Sequence, residues 1–231
     1  MENRTIVGAG SESVSGFLSK VFLWMALGLA VTTAGSFWLL SQHDLFVAVV
    51  KNQWIFIGLV VAELALVFWL SAKLMSMSAG LATTLFLAYS FLNGVTLSPI
   101  FMIYTGASVM TTFAVTAGTF FFFSLYGFTT KRDLTSMGGL MMMGLIGVIL
   151  ASVVNVFAKS STLDWVITFI AIAVFMGLIA WDTQKLKAMH AMGFESPDAE
   201  RKMTIIGALA LYLDFVNLFI QLLRIFGKRR D

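Results

Sequence analysis

Between Leu74 and Thr130 the chain runs for 57 residues without one Asp, Glu, Lys, Arg or His. As a single α-helix that stretch would measure about 85 Å, nearly three times the hydrocarbon thickness of a bilayer. It must therefore turn back on itself within apolar surroundings. Its turn-like punctuation is Pro99 followed by Tyr104-Thr105-Gly106-Ala107-Ser108, which places the break near Tyr104 to Ser108. The rest of the chain matches this segment. Hydrophobic residues make up 59% and charged residues 12%, with a mean hydropathy of +0.91, against roughly 45–50% and 25% in soluble domains. Such a chain cannot be disordered. Its net charge of +3 is spread too thinly to form a nucleic-acid-binding patch.

A membrane-spanning helix needs about 20 mostly apolar residues. Seven stretches qualify, at about 18–40, 54–72, 79–103, 107–128, 138–157, 164–184 and 203–226, giving an all-α membrane protein. The expected organisation is a polar N-terminal segment over 1–17, one transmembrane domain over 18–227 and a short basic tail over 228–231. Ala26, Ala30 and Ala34 form a small-residue stripe in the first span, and Gly147 and Ala151 do the same in the fifth. Both stripes read as helix-packing faces. Ser196-Pro197 followed by Asp198 and Glu200 carries helix-start signals ahead of the last span.

Orientation follows from Lys and Arg in the connections. With the N-terminus on the cytoplasmic side, the inner segments carry Arg4, Lys20, Lys73, Lys131, Arg132, Lys185, Lys187, Arg201 and Lys202, and the outer loops only Lys51 and Lys159. Seven crossings then put Arg224, Lys228, Arg229 and Arg230 outside, against the rule. Either the last segment crosses despite its basic end, or it does not fully span; seven crossings is the reading adopted.

The chain has no Cys, which removes thiolate metal sites and thiol nucleophiles. His43 and His190 form no metal-binding pair on one helix, and Gly8-Ala9-Gly10 lacks the third glycine of a dinucleotide fingerprint. That triplet reads as a polar N-terminal connection, and no cofactor is expected.

Chemistry is more readily placed on the ionisable residues inside the spans, because a charge in lipid is costly and usually marks a pathway or relay. Glu63 falls mid-way along span two, Asp182 near the inner end of span six and Asp214 near the middle of span seven. Asp214, Asn217 and Gln221 lie at i, i+3 and i+7 and share one helix face, so span seven belongs inside the bundle. Tyr89, Asn93 and Thr96 share a face of span three. Glu63, Asn93, Asn217 and Gln221 are thus candidate pathway residues, with helix-to-helix hydrogen bonding as the plainer alternative. Two carboxylates brought within about 3–5 Å in a dry bundle share a proton and titrate as a pair. Losing that proton leaves a doubly negative, oxygen-only site suited to transient Ca²⁺. Measured from the span ends, however, Asp182 and Asp214 differ in depth by about 10 Å, a gap that helix tilt must close.

Ala180-Trp181-Asp182-Thr183-Gln184 and Leu211-Tyr212-Leu213-Asp214-Phe215-Val216-Asn217-Leu218-Phe219 resemble the paired motifs of the Bax inhibitor-1 family, the transmembrane Bax-inhibitor-motif proteins. Leu125-Tyr126-Gly127-Phe128-Thr129-Thr130-Lys131-Arg132-Asp133 and Gly94-Val95-Thr96-Leu97-Ser98-Pro99-Ile100 are similar to two further stretches of that family, and the likeness, closest to the bacterial branch, runs from about residue 18 to 227. The resemblance implies seven transmembrane helices, as two three-helix layers around a central C-terminal helix. It also implies a pH-sensitive calcium leak whose sensor and gate aspartates match Asp182 and Asp214, sited in a bacterial inner membrane. One departure is that no arginine lies between Glu63 and Ala72, where the family's closed state draws one from its second helix; Lys73 is the nearest cation.

Two function classes follow. In the leading one the protein is a proton-gated cation leak that handles Ca²⁺ and protons within the lipid bilayer. In the other it binds and modulates a membrane-anchored protease through 2–16 or the connection from Lys185 to Lys202. An enzyme is not expected, because no G-x-G-D-type aspartyl-protease motif surrounds Asp214.

Overall fold

The computed structural model describes residues 13–230. Arg4, Gly8-Ala9-Gly10 and most of the segment 2–16 lie outside the described residues. Within them the chain is almost entirely helical: α1 (Val14–Ser41), α2 (His43–Lys51), α3 (Gln53–Lys73), α4 (Ala79–Leu97), α5 (Ile100–Ile103), α6 (Gly106–Thr129), α7 (Thr135–Ala158), α8 (Ser161–Met192) and α9 (Pro197–Phe226). A 3-10 turn over Leu74–Ser76 joins α3 to α4. Seven of these segments are long and apolar enough to cross a membrane, α4 and α5 counting together as one.

The long uncharged run folds back where its turn residues stand. Pro99 has no N–H to continue the α4 ladder, so α4 stops at Leu97 and one further turn, α5, leads to Tyr104. Thr105 then caps α6, its hydroxyl accepting from the Ser108 N–H. Ser196 and Pro197 start α9 as their residue types require, the Ser196 hydroxyl accepting from the Ala199 N–H at 3.1 Å. Both helices flanking that turn exceed the hydropathic spans, α8 running on to Met192 and α9 beginning at Pro197. The Lys185–Lys202 connection is therefore mostly helix. Helix α1 likewise starts at Val14, and Phe17 is fully buried. The short helix α2 is an addition, with Phe46 and Val49 packed on Leu39 and Val95.

Helices α1, α3 and α4 form one layer and α6, α7 and α8 the other. Helix α9 lies between them, touching α1, α4, α6 and α8. Burial follows that order: 61% of the apolar window of α9 is buried and none of that of α7. The small-residue stripes are not where spacing alone puts them. Ala26, Ala30 and Ala34 face outward, and the close-packed face of α1 is Gly28, Thr32 and Gly35. A Cβ on Gly94 of α4 would overlap the Thr32 backbone, so α1 and α4 touch nearly main chain to main chain. On α7, Gly147 meets open space, whereas Gly138 and Gly144 pack on Trp181 and Val174. Small residues permit close approach on any face; the partner's position decides which face uses it.

Lys20 on α1 reaches Glu200 on α9 at 3.4 Å, which sets the N-terminal parts of both helices at one end of the bundle. At the other end the tail is strapped to the α5–α6 turn. The Thr105 N–H donates to the Lys228 carbonyl and the Arg230 N–H to the Ile103 carbonyl, each at 2.9 Å. Helix α9 therefore runs the full length of the bundle, and the basic tail sits at the same end as that turn.

Candidate functional site, a carboxyl pair on α8 and α9

Helices α8 and α9 are antiparallel neighbours joined by Gly193–Ser196. A Cβ on Gly207 of α9 would strike the Leu186 side chain of α8, which fixes their register. One turn deeper, that register brings Asp182 level with Leu211 to Asp214. The two carboxyl groups lie within hydrogen-bonding reach of each other. The depth gap read from the span ends closes here because α9 uses more residues than α8 to reach the level of the Leu186–Gly207 contact.

Residues around Asp182 hold it in place. Gly127 of α6 lies against the Ala180 backbone and Gly138 of α7 under the Trp181 ring. Gln184 clamps the α6–α7 connection, accepting from the Leu134 N–H and donating to the Arg132 carbonyl, both at 2.8 Å. Lys187 donates to the Phe128 carbonyl at 2.7 Å. Helix α8 is thus pinned to α6 and α7 on both sides of Asp182. The basic side chain that acts on Asp182 is Lys185, whose Nζ lies 4.9 Å from the centre of the Trp181 ring. Lys73 is exposed at the end of α3.

Asp214 is buried, at 5% exposure, and its Oδ2 has no hydrogen-bond partner among the described residues. The same is true of Gln221 Oε1 further along α9, and of the hydroxyls of Thr112 and Ser124 on the neighbouring α6. Asn217, between the two acidic and amide positions, donates to the Leu213 carbonyl at 2.8 Å and serves its own helix. The α9 stripe therefore divides. Asp214 and Gln221 keep buried oxygens without a partner among the described residues, whereas the Asn217 side chain is tied by its amide nitrogen to its own helix.

Glu63 and Asn93 are not at the carboxyl pair. Glu63 Oε2 accepts from Asn93 Nδ2 at 3.1 Å and Oε1 from the Thr96 hydroxyl at 2.7 Å. The Tyr212 hydroxyl donates to Asn93 Oδ1 at 2.9 Å and lies 2.6 Å from the Thr32 hydroxyl. The Thr32 hydroxyl also lies within donating distance of the Ser90 carbonyl of α4, at 2.9 Å, and of the Gly28 carbonyl of its own helix, at 3.0 Å. A buried chain of hydrogen bonds thus joins α3, α4, α9 and α1. Tyr212 and Thr32 escaped the sequence reading, although Tyr212 stands two residues before Asp214 in the motif. A buried tyrosine that needs a partner for its hydroxyl was the available signal.

Chemically, the α8–α9 pair can hold one proton between two carboxyls and, without it, present two negative charges to a cation. No group of three or more His, Asp or Glu side chains converges among the described residues.

Seven helices long enough to span a bilayer, the last one central and carrying the buried half of a carboxyl pair whose other half, Asp182, is partly exposed, define a polytopic membrane protein with an ionisable interior. The chain belongs to the Bax inhibitor-1 family, since the family described as inhibitor of apoptosis-promoting Bax1 matches it over residues 14–231. It is 49% identical over 216 residues to the inner membrane protein YbhL of Escherichia coli K12, covering 93% of this chain and 92% of that one. A protein of Borreliella burgdorferi is 42% identical over 215 residues, covering 93% of each chain. A membrane protein of Streptococcus pyogenes serotype M1 is 35% identical over 231 residues, covering 99% of each.

Proposed function

We propose that this protein is a proton-controlled leak for Ca²⁺ or a similar cation in a bacterial inner membrane, with its N-terminus cytoplasmic and Asp182 and Asp214 as sensor and gate. The observation that carries this reading is the contact of two carboxyl groups between the central helix and α8. With one shared proton the pair is a hydrogen bond that ties α8 to α9. Without it, two like charges in a low-dielectric interior repel or recruit a cation. The free oxygens of Gln221 and Thr112 on one side of Asp214, and of Ser124 on the other, suit a path of water or weak cation ligands. YbhL is named an inner membrane protein, which supports the location.

The test is Ca²⁺ entry into dye-loaded proteoliposomes across about pH 5–8, the range in which a proton-sharing pair switches. Wild type should show flux that rises with pH, and Asp182→Asn and Asp214→Asn should each abolish the pH response. Flux no faster than empty liposomes at every pH would sink the leak and leave regulation of a membrane-anchored protease as the better account.

A further inference from the structure

At the end of the bundle that carries the tail, a cavity of about 450 Å³ opens between the α5–α6 turn, the start of α8 and the end of α9. Arg224, Arg229, Asp164, Tyr104 and Trp165 are among its lining residues. Arg224 Nη1 meets Asp164 Oδ1 at 3.0 Å, and Arg229 has no ion-pair partner among the described residues, so these three side chains carry one surplus positive charge. The second arginine is not on a loose end. Its residue pairs with Tyr104 in an antiparallel bridge, inside the strap that holds Lys228 and Arg230 to the α5–α6 turn.

We infer that this cavity binds the phosphate of an anionic phospholipid in the leaflet at that end of the bundle. Guanidinium groups present paired N–H donors that match phosphate oxygens, and such charge-assisted pairs are the strong ones. The surroundings favour a lipid over a soluble anion. Trp165 is half exposed and stacks on Phe169, ring centres 5.9 Å apart, and both face outward along α8 with Ile170. A headgroup in the cavity therefore has an aromatic and aliphatic surface directly below it for its acyl chains. Tyr104 and Trp165 are the ring types that settle at the headgroup level.

The test is native mass spectrometry of the full-length protein titrated with phosphatidylglycerol, phosphatidylcholine or inorganic phosphate, with unfolding temperature as a check on folding. Phosphatidylglycerol should bind one per chain and more tightly than phosphatidylcholine. Arg224→Gln with Arg229→Gln should weaken it about tenfold, and Arg229→Gln alone, which breaks no ion pair seen among the described residues, should weaken it measurably. Lys228→Gln with Arg230→Gln removes the same charge outside the cavity and should leave binding within about twofold. Equal loss in both double variants would reduce the effect to general charge and overturn the site. So would unchanged binding in the Arg224/Arg229 variant. Millimolar phosphate that displaces the lipid and stabilises equally well would make this a free-phosphate site instead.

Discussion

At the scale of single residues, the hydroxyl of Tyr212 is the atom on which most of the buried polar chain depends. Tyr212→Phe leaves Asn93 Oδ1 without its Tyr212 donor and the Thr32 hydroxyl without its partner on α9, and should lower stability by about 1–2 kcal/mol. Thermal unfolding in detergent reads this directly; an unchanged midpoint would mean that water takes over both roles. Asp133, outside the spans, offers a pH-dependent case. Hydrogen bonds from Thr135, the backbone N–H at 2.9 Å among them, hold its carboxyl below the usual range. Its folded value thus lies below its unfolded value, so the ionised group favours folding fully above about pH 4 and loses that effect as pH falls through the lower folded value. Asp133→Ala should accordingly lower the unfolding temperature more at about pH 7 than at about pH 3. The acids of the interior were legible in the sequence because charge is so rare there. Their partners were not: Asn93 and Thr96 share a helix face, but nothing in one sequence says that Glu63 on another helix meets them.

At the scale of elements, glycines set how closely helices approach, and only some of them were legible. Gly127 stood out within a family-like motif, and its role is physical: a Cβ there would run into the Ala180 backbone, which no rotamer change relieves. Gly127→Ala should separate α6 from α8 and cost about 1–3 kcal/mol. Because Ala180 precedes Asp182 by two residues, this variant should also alter the pH response of Ca²⁺ flux. Gly147→Ala, facing open space, serves as the silent control, and equal unfolding temperatures for the two would refute the argument. The number of spans was readable because hydropathy alone reports burial in lipid. The outward Ala26–Ala30–Ala34 stripe misled because, in a chain that is 59% hydrophobic, the lipid face and the packing face of a helix look alike. Helix α2 was hidden for a related reason, being too short to count as a span.

At the scale of the whole molecule, the strap puts the tail and the α5–α6 turn at one end of the bundle, and the seven-crossing reading predicts that both face the same side of the membrane. With no native cysteine to confuse labelling, single cysteines at Thr105, Lys159 and Arg229 should react from one side of the membrane. Cysteines at Lys131 and Glu195 should react from the other. Reaction of the Arg229 cysteine from the same side as Glu195 would mean that α9 does not cross.

The central position of α9 also has a consequence for biosynthesis. Ribosomes deliver chains from the N-terminus, so the six outer spans enter the bilayer before the helix that separates them exists. Until it arrives, Asn93 and Thr32 lack their tyrosine and Asp182 its fellow acid. The seventh span is the keystone, and a nascent chain stopped short of Pro197 is two half-shells with their polar linings facing an empty slot.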